Sequence, residues 1–257
     1  MSVVILIPAR YASTRYPGKP LAILKGADGE KTLIRRTWET GMSVSGVDRV
    51  LVATDDDRIA DHVRDFGGEV VMTSETCRNG TERCADAMAR LDLRPDIVVN
   101  LQGDAPLTPH WFMEDLIAAL ADRRDVGVAT PVLKTDAEAY GRFREDRRNG
   151  RVGATTAVCR HDGTALYFSK ELLPFLPDPE MSEPPVLHHV GVYAYRPDAL
   201  DRYMGWDQGP LETLEGLEQL RFLENGEDIL CVEVDARGRA FWELNNPVDI
   251  ERIESVL

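Results

Sequence analysis

Val3-Val4-Ile5-Leu6-Ile7-Pro8-Ala9-Arg10-Tyr11-Ala12-Ser13-Thr14-Arg15-Tyr16-Pro17-Gly18-Lys19-Pro20-Leu21 joins two kinds of sequence. Its first five residues form an unbroken apolar, β-branched run. That is the pattern of a strand covered on both faces, because a strand with one wet face would alternate. A doubly covered strand needs helices above and below it, which points to an α/β architecture. The rest of the stretch is a loop of small residues and turn formers carrying three cations: Arg10, Arg15 and Lys19.

Outward from this stretch, the same alternation repeats. Thr32 can cap a helix to about Met42. Arg49-Val50-Leu51-Val52-Ala53 is a second buried strand, and Asp55-Asp56-Asp57 opens a helix ended by Gly67-Gly68. Glu69 to Met72 is a short strand, and Thr81 starts a helix to about Leu93. Asp96 to Leu101 is a further strong strand, followed by a helix from Pro109 to about Leu120. Strand and helix in turn, with short connections, predict a doubly wound, mainly parallel sheet. The second half is less regular. Strands are expected at Val126 to Leu133, Ala154 to Cys159, Ala165 to Phe168, Val190 to Tyr195 and Ile229 to Val234. Arg142 to Arg151 reads as a charged surface loop. Leu211 to Glu224 reads as one amphipathic helix, with leucines at 211, 214, 217 and 220, and Pro247 begins a terminal helix. No Pro/Gly-rich linker interrupts residues 1–257, so a single mixed domain is expected.

The chain of 257 residues, 43% hydrophobic and 29% charged, can bury a sizeable core. Its 30 Lys and Arg against 44 Asp and Glu give a net charge of −14. Such a balance argues against general nucleic-acid binding, which needs a basic surface. It does not argue against a small anion held by a local cluster of cations. No run approaches the roughly 18 apolar residues of a membrane span, and the N-terminus lacks a signal-peptide pattern. Cys77, Cys84, Cys159 and Cys231 show no metal or disulfide spacing, so the expected setting is a reducing cytoplasm.

In an open α/β sheet, ligands bind beyond the carboxyl ends of the strands. The loop after Ile7 lies there, and its small residues let backbone N–H groups approach a phosphate that Arg and Lys neutralise. It is neither a Walker A loop nor a GxGxxG turn. Asn100-Leu101-Gln102-Gly103-Asp104-Ala105-Pro106 ends the third strong strand, and Asp104 either closes a turn or holds Mg²⁺ against a phosphate. Thr81 in Asn79-Gly80-Thr81-Glu82-Arg83 reads as an N-cap or as a base or sugar contact. Asp55-Asp56-Asp57 reads as capping rather than as a DxD metal motif. His189 and Tyr193 share one strand face, and Glu218, Gln219 and Arg221 lie on the helix that follows. No nucleophile elbow or Ser-His-Asp order is present, so covalent catalysis has no support.

Pro8 to Leu21, Gly80-Thr81-Glu82-Arg83, Leu101 to Pro106, Ala165-Leu166-Tyr167-Phe168-Ser169, His189-Val190-Gly191-Val192-Tyr193 and Leu217-Glu218-Gln219-Leu220-Arg221 occur in order along nearly the whole chain. Together they resemble the 3-deoxy-D-manno-octulosonate (Kdo) cytidylyltransferases. The resemblance implies a nucleotide-diphospho-sugar transferase-like fold with a nucleotide-binding half, about 1–125. A smaller mixed β/α half, about 126–257, would bind sugar and dimerise. It implies a homodimer that makes CMP-Kdo and pyrophosphate from CTP and the acidic sugar, for lipopolysaccharide or capsule.

Carried over by position, Ala9, Arg10, Ser13, Arg15 and Lys19 would hold the triphosphate, and Gly80, Thr81 and Arg83 the cytidine. Gln102 and Asp104 would lie at the nucleotide and Mg²⁺, while His189, Tyr193, Glu218 and Gln219 would line the sugar side. The catalytic group would be Lys19, Arg10 and Asp104.

The sequence also departs from the pattern. The family's C-terminal Gly-Val-Asp-Thr-Pro-Glu-Asp appears as Glu243-Leu244-Asn245-Asn246-Pro247-Val248-Asp249, so a metal-binding Asp becomes Asn245. Glu243, two residues earlier, is a candidate for the missing carboxylate. Lys170 stands for the usual Arg, and Thr156 for a strand Lys. These differences leave two further expectations open. The acceptor could be 8-amino-Kdo or another 2-keto-3-deoxy sugar acid, or the protein could be a catalytically silent nucleotide binder.

Overall fold

The computed structural model describes residues 1–12, 16–91, 94–152, 154–178, 181–239, 243–244 and 246–257. β1 (Val3–Ala9) leads through a 3-10 turn at Lys19–Leu21 into a small hairpin, β2 (Ile23–Gly26) and β3 (Gly29–Thr32), and then α1 (Leu33–Met42). β4 (Arg49–Thr54), α2 (Asp57–Asp65), β5 (Glu69–Met72), α3 (Gly80–Leu91), β6 (Ile97–Leu101) and α4 (His110–Asp122) follow in alternation. The later part starts with β7 (Val128–Lys134), α5 (Ala137–Arg148), β8 (Thr156–Cys159), β9 (Ala165–Ser169), β10 (Leu187–His189) and β11 (Val192–Tyr195). It ends with α6 (Pro197–Met204), α7 (Pro210–Glu215), α8 (Leu220–Glu224), β12 (Ile229–Glu233) and α9 (Asp249–Glu254).

The expected α/β sheet is present, in the order β5-β4-β1-β6-β11-β7-β10-β8-β9, with β12 beside β7. β5, β4, β1 and β6 are parallel. From β1 the chain winds outward to β4 and β5, then crosses back to β6 on β1's other side. The crevice beyond the carboxyl ends of β1 and β6 is therefore a topological switch point, where such sheets bind ligands. The alternation of β1 divides the core: Val3, Ile5 and Ile7 pack on one face, Val4 and Leu6 on the other. β11 inserts antiparallel between β6 and β7, so a late segment joins the early and late strands in one sheet. At the far end, Thr164 bridges Leu230 of β12, and the sheet curls back on itself.

Three sequence expectations change. Arg142 to Arg151 is not a loop, because α5 runs to Arg148, capped by Asp136, whose carboxylate accepts from Ala139 N–H. Its charges pair along the helix, as Glu138 does with Arg142, and only Tyr140 is buried, so there was no apolar stripe to detect. Leu211 to Glu224 is two helices, since Gly216 adopts φ 61° and ends α7. The leucine stripe is core at one end only, since Leu220 is buried and Leu217 packs against the core, while Leu214 is 83% exposed. The strand expected at Val190 to Tyr195 is present as β11 from Val192, but His189 ends β10, so His189 and Tyr193 do not share one strand. The β2–β3 hairpin and α6 had no sequence counterpart.

Candidate active site

A cleft opens at the switch point, bounded by Ala9 and Arg10 after β1, Lys19, Gly80 at the start of α3, and Gln102-Gly103-Asp104 after β6. It is an open cleft of about 780 Å³ counting the solvent at its mouth. Two glycines shape it. Gly18, at φ 71°, donates to Tyr11 O at 2.9 Å and folds the cationic loop back on itself. A Cβ on Gly103 would stand 2.6 Å from Pro8 O, so only glycine lets the ends of β1 and β6 close.

Lys19 Nζ donates to Asp104 Oδ2 at 2.5 Å, in a half-buried pair on the cleft wall. Asp104 also accepts Leu244 N–H at its backbone oxygen, 2.9 Å, which brings the C-terminal segment onto the same turn. Arg10 is exposed and lines the cleft. Ser13, Arg15 and Asn245 lie outside the described residues.

The α3 wall is more tightly tied than its sequence suggests. Asn79, not Thr81, caps the helix, accepting Glu82 N–H at 2.8 Å. Thr81 is buried one position inside, with its Oγ1 2.8 Å from the Tyr195 hydroxyl oxygen. Arg83 reaches the cleft but is nearly buried, donating to Thr73 Oγ1 at 2.6 Å and Asp55 Oδ2 at 2.8 Å. Asp56 caps α2 by accepting Arg58 N–H at 3.0 Å, so these two members of the Asp triplet serve as ion-pair partner and cap.

Glu218 reaches the α3 wall, where its Oε2 accepts Thr81 N–H at 3.0 Å and its Oε1 accepts from Gln102 Nε2 at 3.4 Å. Burial pushes its carboxyl above the usual range, and the Thr81 N–H pulls it back. Gln219 and Tyr193 do meet, the tyrosine O–H donating to Gln219 Oε1 at 3.1 Å. His189 stacks near Tyr193, ring centroids 5.6 Å apart, and its Nε2 lies 2.9 Å from Thr130 Oγ1. Burial holds His189 down at about 3, so it is neutral at pH 7. A Cβ on Gly191 would lie 3.4 Å from Glu243 Oε1, which sets that carboxylate beside the His189–Tyr193 turn. Thr156 is buried, its hydroxyl donating to Glu171 O at 2.7 Å, while Lys170 Nζ lies by Gly216.

No group of three or more His, Cys, Asp or Glu residues suited to a metal occurs among the described residues. Mg²⁺ asks for less, being bound by one or two carboxylates with substrate phosphates and water. Asp104, the acidic residue among those lining the cleft, fits that demand.

Sequence reasoning missed two features. Arg221 is fully buried and joins Glu82 of α3 at 3.0 Å to Glu212 of α7 at 2.7 Å. Asn100, fully buried in β6, has neither amide atom partnered among the described residues. An Asn closing an apolar strand run was the available signal.

A crevice that sets unpaired and half-paired cations beside one carboxylate, at a switch point of this sheet, defines a nucleotide-handling α/β protein. The chain belongs to the cytidylyltransferase family, whose model matches residues 4–229. It is 46% identical over 257 residues to the 3-deoxy-manno-octulosonate cytidylyltransferase of Maricaulis maris (strain MCS10), covering 100% of this chain and 97% of that one. The enzyme of the same name from Chlamydia caviae (strain ATCC VR-813 / DSM 19441 / 03DC25 / GPIC) is 40% identical, over 98% and 92%. Among solved structures, a CMP:2-keto-3-deoxy-manno-octonic acid synthetase complexed with CTP superposes with TM-score 0.85 at 34% identity, covering 99% and 98%.

Proposed function

We propose that the protein transfers CMP from CTP to the anomeric hydroxyl of Kdo, releasing pyrophosphate. The observation that carries this is the Lys19–Asp104 pair beside Arg10 at the switch point, in a chain whose full-length relatives bear that activity's name. The hydroxyl oxygen attacks the α-phosphorus, an O–P bond forms, the α–β bridge breaks, and the hydroxyl proton leaves to solvent. Such a transfer rests on positioning and charge neutralisation, so no protein nucleophile is required.

Arg10 and Lys19, with Ala9, Ser13 and Arg15, hold the triphosphate and stabilise the departing pyrophosphate. Gly80, Thr81, Arg83 and Gln102 form the cytidine wall. Neutral His189 with Tyr193 and Gln219 forms the sugar wall, where neutrality suits an acidic sugar, and Glu243 borders it. Asp104 would hold Mg²⁺, with Glu243 and Asn245 as further candidates. When bound, the ion neutralises charge on the α-phosphate and the attacking oxygen.

The same reading makes the enzyme a cytoplasmic homodimer serving lipopolysaccharide or capsule assembly. Its supports are the unpaired cysteines and the exposed Leu166 of β9 and Leu214 of α7. Those two elements are tied through Glu215, which accepts from Ser169 Oγ at 2.7 Å. No helix of the described residues is long and apolar enough to cross a membrane.

Pyrophosphate release measured with CTP, Mg²⁺ and a panel of sugar acids tests the assignment. Turnover is expected with Kdo in preference to 8-amino-Kdo. No release with any sugar, despite CTP binding, would mark a silent nucleotide binder.

A further inference from the structure

The two ends of the cleft differ in charge. At one end Arg10 makes no ion pair among the described residues, and Lys19 is balanced only by Asp104. At the other end stands the N-terminus of α3, a helix of 12 residues. Helix N-termini attract phosphates, so this end would compete for the triphosphate if it were open. It is already filled. Glu218, brought from between α7 and α8, accepts Thr81 N–H at 3.0 Å, and Asn79 takes Glu82 N–H at 2.8 Å.

The cations of this wall are matched as well, Arg83 with Asp55 at 2.8 Å and Arg78 with Glu82 at 2.7 Å. Beneath Gly80 lie neutral amides instead. Gln102 Nε2 and Asn100 Nδ2 stand 2.9 and 3.3 Å from where a Cβ on Gly80 would be. Asn100 is fully buried, with both amide atoms lacking a partner among the described residues. Of the two, Gln102 lines the cleft, and because its Nε2 is turned to Glu218 at 3.4 Å, its amide oxygen gives this wall a neutral acceptor rather than a site for an anion.

We propose that Glu218 decides which way round CTP lies: by filling the N-terminus of α3 with a protein carboxylate, it denies that end to the triphosphate and reserves it for the base and ribose. The proposal rests on the reading that Arg10 and Lys19 hold the triphosphate. A phosphate placed beside Glu218 would meet a like charge on a partly buried wall, whereas the base would meet the Gln102 amide. Glu218 is thus an orienting residue for the proposed reaction, although its carboxylate is spent on the protein's own backbone.

Glu218→Gln keeps the side chain's length and its ability to accept from Thr81, removes the charge, and costs only the long contact that Oε1 accepts from Gln102 Nε2. CTP then also binds reversed, with its α-phosphorus away from the sugar. Non-productive binding lowers kcat and the KM for CTP together, here roughly fivefold, and leaves kcat/KM nearly unchanged. Loss of a merely structural contact would not produce that pairing. Titration calorimetry with inorganic pyrophosphate reads the same change without turnover. Wild type takes up a single pyrophosphate per protomer. Glu218→Gln and Glu218→Ala gain a second site, and Glu218→Asp, which keeps the charge, does not.

Arg10→Ala separates this inference from the reading beneath it. Pyrophosphate binding that survives Arg10→Ala unweakened defeats the triphosphate assignment itself. If Arg10→Ala weakens that binding, yet Glu218→Gln and Glu218→Ala keep a single pyrophosphate site with kcat and KM unchanged, the orienting role of Glu218 is wrong. A raised KM at constant kcat in Glu218→Gln contradicts it equally.

Discussion

Lys19 and Asp104 are 85 positions apart in the chain, yet their charged atoms meet at 2.5 Å because β1 and β6 are neighbours and Gly103 lets their ends close. On the proposed mechanism Lys19 gains most in the transition state, as charge moves onto the leaving pyrophosphate. Lys19→Ala is therefore expected to cut kcat roughly a hundredfold or more, with the melting temperature little changed. Steady-state kinetics beside a thermal melt checks both halves of that statement. Gly103→Ala should lose activity by another route, since its Cβ would stand 2.6 Å from Pro8 O and push the two strand ends apart. Arg10, Lys19 and Asp104 were legible because the loops that carry them follow strand signals. Glu218 was legible as a motif residue but not in its placement, because nothing local to residue 218 tells that its carboxylate meets the backbone of Thr81.

At the scale of elements, α3 is held to α7 and α8 by Arg221, which bridges Glu82 and Glu212 while fully buried. Removing one partner of a buried ion pair strands the others without solvent. Arg221→Met should thus destabilise the fold by about 3–5 kcal/mol, read from the urea midpoint. Gly216→Ala, at φ 61° where α7 ends, should cost about 1–2 kcal/mol by the same measurement.

β1, β4 and β6 were readable because each is buried on both faces and so writes a continuous apolar run. α5 was not, since it buries only Tyr140 and is held by its cap and charge pairs. The leucines at 211 and 214 misled for the opposite reason: they form an apolar stripe that the monomer leaves exposed. Periodicity reports that a face is apolar. It does not report what covers it.

For the whole molecule, that uncovered stripe and the neighbouring Leu166 are what the proposed dimer buries. Leu214→Glu should shift the protein to monomer in sedimentation velocity without lowering its melting temperature in the monomeric state. The buried histidines add a pH dependence. Burial lowers His188 to about 4 and His189 to about 3, both below the 6.5 of an unfolded histidine. The unfolded chain therefore binds more protons as pH falls below 6.5, and stability drops with it, by at most about 2 kcal/mol per histidine at pH 5. Urea midpoints at pH 7 and pH 5 should show that fall, and a His188→Asn, His189→Gln double variant should show less of it. The net charge of −14 is no obstacle to an anionic substrate, since recognition depends on the few cations gathered at one end of the cleft.

On the proposed function, this cleft joins CMP to a sugar acid. Phosphorus NMR of the purified protein with CTP, Kdo and Mg²⁺ tests it most directly. A sugar phosphodiester resonance growing in step with pyrophosphate, and suppressed in Lys19→Ala, is the predicted result. Unchanged CTP, or pyrophosphate accompanied only by free CMP, would contradict it.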